Sequence, residues 1–275
     1  MKRTNAVLTV VLALIVPCGQ IACSSKVGAI EPLVTHGGLG TFLHPIQAPK
    51  NGHSCLCGLD CCKDNVYIFG VNGLNPLCTG NFNGLLDYLR GQGFKNTYFG
   101  QLYTPNCYAR KIRDIRQHDA HARVVLIGFS LGCNYVQCLA NHLNHDDTRV
   151  DLVVYLGGDY IFNNERAFPC NVERVLNVQA HGICLTGGDL FFKGADIDGA
   201  RNVRLPVRHI LIPSRADTVE LLMEELTSLA CASAPVWVPG WRRAAVPRHG
   251  ASNIPFSQAD PQRPVAPQPG MWGRR

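Results

Sequence analysis

The chain has 275 residues, is 46% apolar and carries a net charge of +6. That length suits one domain of roughly 180 to 210 residues plus tails. Residues 233–275 hold Arg242, Arg243, Arg248, Arg263, Arg274 and Arg275 against Asp260 alone, so the rest of the chain is near neutral and offers no basic face for nucleic acid.

Lys2 and Arg3 precede a short apolar run, Ala6 to Val16 (AVLTVVLALIV), which Pro17 and Gly19 interrupt. This is the pattern of an export signal, too short for a comfortable membrane span. Residues 1–23 are read as that signal, so the expected location is exported: periplasmic, secreted or held as a lipoprotein. Ile21 to Cys23 weakly resembles a bacterial lipoprotein box, in which Cys23 would be lipidated. Gln20 suits that box poorly, and plain cleavage is the default. An uncleaved signal or a lipidated Cys23 would tie the chain to a membrane.

Residues 24–65 are rich in Gly, Pro, His and Cys and read as a loosely structured lead-in. Cys55, Cys57, Cys61 and Cys62 lie in HSCLCGLDCC, four of 13 cysteines. The spacing C-x-C-x3-C-C differs from the paired C-x2-C knuckles of zinc sites. Local disulfides are the favoured reading in an exported chain.

The domain proper is expected over 66–231. VYIFGV, Val66 to Val71, is apolar throughout and reads as a strand covered on both faces, as in a parallel sheet. NFNGLLDYLRGQG has helical spacing at Phe82, Leu85, Leu86 and Leu89, and Gly91 and Gly93 stop it. NTYFGQLY is a second strand, and Tyr108 to Gln117 an amphipathic helix. Arg123 to Ile127 is a strand running into GFSLG. Leu131 to His145 is a helix on which Cys133 and Cys138 read as small buried hydrophobes. Asp151 to Gly158 and Glu173 to Gly182 are further strands. A Gly/Asp-rich loop follows, then the short strand RNVRLP. Asp217 to Leu229 closes the domain as a helix capped by Asp217 or Thr218. This alternation implies a three-layer α/β/α sandwich around a mostly parallel sheet, with its site along the strand C-termini. The tail, 232–275, is proline-rich and basic. It reads as disordered, able to contact anionic surfaces.

Ser130 lies between Gly128 and Gly132, after a strand and before a helix. G-x-S-x-G is weak evidence alone, but here it has the strand–turn–helix context that a nucleophile elbow needs. The glycines relieve crowding at the turn, and the helix N-terminus favours developing negative charge. A serine needs a base, and the base an orienting acid. In this architecture they follow in the order Ser, Asp/Glu, His. His142 and His145 fall on or just past the helix after the serine, His181 ends a strand, and His249 is in the tail. His209 stands where the base belongs. Position favours Asp189 as the acid, then Asp159, with Asp196 and Asp198 nearer His209. The oxyanion hole needs two backbone donors. Leu131 N–H is one. FGVNG, Phe69 to Gly73, offers Val71 first and Asn72 next.

On these residues the chain resembles the α/β-hydrolase superfamily, and within it the small lidless bacterial lipases of Bacillus type. GFSLG, VVYLGG, the GGD ending at Asp189, and DGARNV with His209 seven residues after Asn202 carry the resemblance. It covers roughly residues 66 to 230 in a six-strand version of the fold. It implies a triad of Ser130, Asp189 and His209, with Val71 and Leu131 in the hole. The chain departs from the pattern at Phe69-Gly70, where that family usually has His-Gly, and its lead-in has no counterpart.

The expected activity is serine hydrolysis of carboxylic esters, of esterase or lipase type, through an acyl-enzyme and without metal or cofactor. An acyltransferase, or a hydrolase of thioesters or polyesters, would use the same triad. A non-catalytic exported binding protein would keep the fold and lose the chemistry.

Overall fold

The apolar runs become strands because their β-branched and aromatic side chains alternate between two covered faces. A computed structural model of the chain describes residues 39–49, 60–73, 79–101, 105–158, 168–181 and 196–232. Six strands form one sheet: β1 (Val66–Val71), β2 (Thr97–Gly100), β3 (Arg123–Phe129), β4 (Val150–Leu156), β5 (Val172–Ala180) and β6 (Arg201–Leu205). The order is β2-β1-β3-β4-β5-β6, and every pairing is parallel. All the strand C-termini therefore share one edge.

The helices are α1 (Leu39–Leu43), α2 (Phe82–Gly91), α3 (Pro105–His118), α4 (Gly132–Asn144) and α5 (Ala216–Cys231), with 3-10 helices at Asp60–Asn65 and His209–Ser214. Val66, Ile68, Val125, Ile127, Val154 and Leu176 face a core completed by α2 and α5. Phe69, Val71, Val124, Leu126, Val153 and Val175 face the opposite core, completed by α3 and α4. The sheet is thus the middle of three layers. In α2, Phe82, Leu85, Leu86 and Leu89 are buried along the stripe that the sequence spacing implies.

The N-terminal edge is held by charge. Asp151, whose side chain is 1% exposed, contacts Arg116 at 2.5 Å and Arg123 and Arg149 at 3.3 Å. It also accepts the Val124 N–H at 2.8 Å. Arg149 further pairs with Glu173. Burial lowers the pKa of Arg149, an effect that Asp151 opposes.

Several expectations are corrected. The lead-in holds a short helix, and residues 44–49 run beside the domain in defined contacts. His44 O accepts from Asn81 Nδ2 at 2.8 Å, Ile46 packs on the core, and Gln47 N–H donates to Ser214 O at 2.9 Å. The N-cap of α5 is Arg215, with no side-chain cap bond, while Asp217 and Thr218 lie inside the helix. Cys133 is buried but Cys138 is exposed, because it points away from the sheet. Cys62 is half-buried. Cys55 and Cys57, the signal with Cys23, and the tail beyond 232 lie outside the described residues, as does the side chain of Cys61. Cys107 on α3 is disulfide-bonded.

Candidate active site

β3 ends at Phe129 and α4 begins at Gly132, so the chain reverses within two residues. Ser130 makes that reversal with φ of 55°. A non-glycine residue there is strained, at a cost of order 1–3 kcal/mol. Its backbone is held from both sides: Ser130 N–H donates to Leu156 O at 2.9 Å, and Ser130 O accepts from Cys133 N–H at 3.0 Å.

The glycines around it are required by contact. A Cβ on Gly132 would stand 2.1 Å from Val71 O, and one on Gly128 2.6 Å from Cys133 Cα. A Cβ on Gly73 would stand 2.8 Å from Ser130 Cβ and 2.9 Å from Leu131 N. The FGVNG loop is therefore seated directly against the elbow. Cys133 Sγ donates to Gly128 O at 3.2 Å and closes the turn from beneath.

Leu131 N–H has no backbone acceptor among the described residues. Val71 is the last residue of β1. Ile68 and Asn72 donate toward β2, to Asn96 O and Gly100 O. Val71 is one residue out of phase and pairs with Gly128, so its N–H turns into the β1–β3 ladder. Its carbonyl faces Gly132. Asn72 N–H is engaged by Gly100 O at 2.9 Å. Gly73 N–H donates to Asn72 Oδ1 at 3.0 Å. The periodic engagement of a strand end in two ladders was not visible in FGVNG.

His209 is not in a loop. It is the first residue of a 3-10 helix just after β6 and is 6% exposed. Its ring stacks on Phe129, the neighbour of Ser130, with centroids 5.3 Å apart and planes at 22°. A Cβ on Gly157 would lie 2.7 Å from His209 Nδ1, and Gly157 has φ of +63°. The histidine therefore fits the end of β4 only because that position carries no side chain. The fold brings His209 against Phe129, the residue before Ser130, and against the end of β4.

Asp189 and Asp159 lie outside the described residues. Asp196 is committed elsewhere, accepting from Gln179 at 3.1 Å and from Arg204 at 2.7 Å. Asp198 is exposed. His142 and His145 are exposed at the end of α4, and His142 lies 3.0 Å from Arg113. His181 is exposed just past β5. Sequence reasoning missed Phe129 and Gly157 as partners of the histidine. The paired glycines at the end of VVYLGG were the available signal, since a strand seldom ends so without a close approach.

No family model matches the chain, and no curated protein matches it. Solved structures do. A predicted CIB-like hydrolase from Thermoplasma acidophilum aligns at TM-score 0.38 and 12% identity, over 59% of this chain and 86% of that one. Aspergillus fumigatus lipase B aligns at TM-score 0.36 and 11% identity, over 59% and 61%. Trichoderma reesei cutinase, in complex with a phosphonate inhibitor, aligns at TM-score 0.35 and 19% identity, over 64% and 92%. The chain is thus similar to solved proteins named as hydrolases, and it has a parallel α/β sandwich with a strained serine corner at the carboxyl edge of its sheet.

Proposed function

We propose that the protein is a compact α/β hydrolase, exported from the cell, that cleaves carboxylic esters through Ser130, His209 and Asp189. The left-handed backbone of Ser130, clamped between glycines that contact neighbouring backbone, carries this reading. Such strain at a corner with no packing role is the form expected of an aimed nucleophile.

In this mechanism His209 takes the proton of Ser130 Oγ as the oxygen attacks the ester carbonyl. Leu131 N–H stabilises the tetrahedral oxyanion. The intermediate collapses, and His209 returns the proton to the departing alcohol. Water then attacks the acyl-enzyme, with His209 as its base, and the carboxylic acid leaves. Asp189 holds the imidazole tautomer; Asp159, two residues along the chain from Gly157, is the alternative acid. The steps need no metal or cofactor. Export is supported by the apolar N-terminal run and by the disulfide at Cys107, a bond that persists in oxidising compartments.

The test is covalent labelling by a fluorophosphonate probe, with hydrolysis of nitrophenyl esters of graded chain length. Labelling of wild type and its loss in Ser130→Ala is the expected result. Labelling that persists in that variant sinks the assignment. Asp189→Asn and Asp159→Asn, assayed side by side, identify the acid: the true one loses about 10⁴-fold in kcat.

A further inference from the structure

The helix that His209 heads is one short 3-10 segment, His209–Ser214, with Pro213 inside it and so one backbone donor fewer. Such turns have poor internal hydrogen bonds and take their orientation from what grips them. The head is gripped by the Phe129 ring, 5.3 Å from the imidazole, and by the end of β4 at Gly157. The tail is gripped from the lead-in. Ser214 O accepts the Gln47 N–H at 2.9 Å, and Gln47 Oε1 accepts from Ala216 N–H, at the start of α5, at 3.4 Å. Arg215, the N-cap of α5, makes no side-chain cap bond of its own.

Asn81 holds the other end of that stretch. Its Nδ2 donates to His44 O at 2.8 Å, and its Oδ1 accepts from Thr41 Oγ1 at 3.3 Å. Asn81 is 1% exposed and has φ of 54°, in the left-handed region that a side chain disfavours. It stands at the N-cap of α2 yet makes no side-chain bond to that helix. Gly84 leaves room for it, since a Cβ there would lie 2.2 Å from Asn81 Oδ1. Glycine would take the Asn81 backbone more easily. What asparagine adds is the pair of bonds to residues 41 and 44.

These contacts close a ring. Asn81 precedes Phe82, whose side chain lies 6.0 Å from that of Phe129, on which His209 rests. His209 begins the 3-10 helix and Ser214 ends it. Gln47 takes the tail of that helix and leads back along the chain to His44 and Asn81, with Ile46 packed on the core between them.

We propose that Asn81 is a positioning residue for the imidazole of His209, acting through a strap, residues 44–47, that braces the far end of the His209 helix. The catalytic part of this statement rests on the ester-hydrolase reading; the bracing does not. The strap precedes the span that the α/β alternation marks out, so residues outside that span help to seat the base within it.

Asn81→Gly in the full-length chain is the decisive variant, because glycine accepts a φ of 54° and removes only the bonds to the strap. Amide hydrogen exchange reads the brace without turnover. Exchange across 44–47 and 211–216 should quicken about tenfold or more, while β3 keeps its protection and reports an intact fold. Hydrolysis of a short-chain nitrophenyl ester should lose about tenfold or more in kcat, with KM within about twofold of wild type, since a displaced base weakens the transition state rather than substrate binding. Asn81→Ala lacks the same bonds but keeps the strained backbone. Its kcat should match that of Asn81→Gly although it unfolds at lower denaturant. Wild-type exchange across both segments in Asn81→Gly overturns the brace. Altered exchange with wild-type kcat overturns the positioning of His209, as does a kcat that follows stability across the two variants. Wild-type protein that neither takes up fluorophosphonate nor cleaves ester sinks the hydrolase reading, and the exchange result then still decides the brace.

Discussion

The imidazole of His209 lies on the ring of Phe129, with centroids 5.3 Å apart. Phe129 is the last residue of β3, immediately before Ser130, and its other neighbour is Phe82 at 6.0 Å. One buried ring thus ties His209 to the end of the strand that leads into Ser130. Phe129→Leu keeps an apolar filler but removes the flat support. Fluorophosphonate labelling should slow about tenfold or more, since small misplacements of reacting groups are costly. A labelling rate equal to wild type would mean that the stack does not seat the histidine.

Gly157 limits the same histidine from the opposite side. A methyl group there meets His209 Nδ1 at 2.7 Å, on a backbone with φ of +63°. Gly157→Ala should cost about 1–2 kcal/mol for the left-handed conformation alone. It should also lower kcat by about 10²-fold, because the imidazole must shift. Denaturant melts and ester kinetics on one preparation separate the two effects.

Strain at Ser130 can be measured without any substrate. Ser130→Ala retains the Cβ that a φ of 55° disfavours, whereas Ser130→Gly removes it. Both variants should be inactive, with the glycine form more stable than the alanine form by about 1 kcal/mol. Chemical denaturation decides this. A less stable glycine variant would mean the corner is not strained.

The N-terminal edge behaves differently from the surface. Asp151 is 1% exposed among three arginines. Asp151→Ala would leave buried cations uncompensated and should cost about 3–5 kcal/mol. The pair of Arg204 with Asp196 is about half exposed on both sides, so Arg204→Ala should change stability by less than about 1 kcal/mol. Urea midpoints of the two variants provide the comparison.

Alkaline stability follows from the aromatic cluster behind β1. Burial raises the pKa of Tyr108 above its ordinary 10.0, and burial likewise raises that of Tyr98. The unfolded chain releases these phenolic protons near pH 10, while the folded chain retains them. Their contribution is therefore complete below about pH 10 and is lost as pH rises through the folded values. In Tyr108→Phe the fall in stability above pH 10 should be shallower than in wild type, read from melts across the alkaline range.

Much of the architecture was legible in the sequence because it is written in period and punctuation. VYIFGV, RVVLI, DLVVYLGG and ERVLNVQAHG are runs too apolar for anything but covered strands, and each became one within a residue or two at its ends. The elbow was legible for a local reason too: a serine between glycines, with strand before and helix after, admits few backbones. Non-local contacts were not legible. Residues 39–49 have no period, and their place depends on Asn81 and Ser214, far along the chain. Val71 reads as a hole residue by motif, yet its amide direction follows from the phase of pairing with β2 and β3 together.

The sequence by itself determined the parallel α/β alternation, the corner at Ser130 and the candidacy of His209, because hydrophobic period and turn chemistry act over a few residues. Only the tertiary structure decided that His209 rests on Phe129 in the space Gly157 leaves open, and that residues 44–47 of the lead-in join Asn81 to Ser214. Those relationships arise from packing between segments distant in sequence, where shape and hydrogen-bond direction decide and local pattern carries no record.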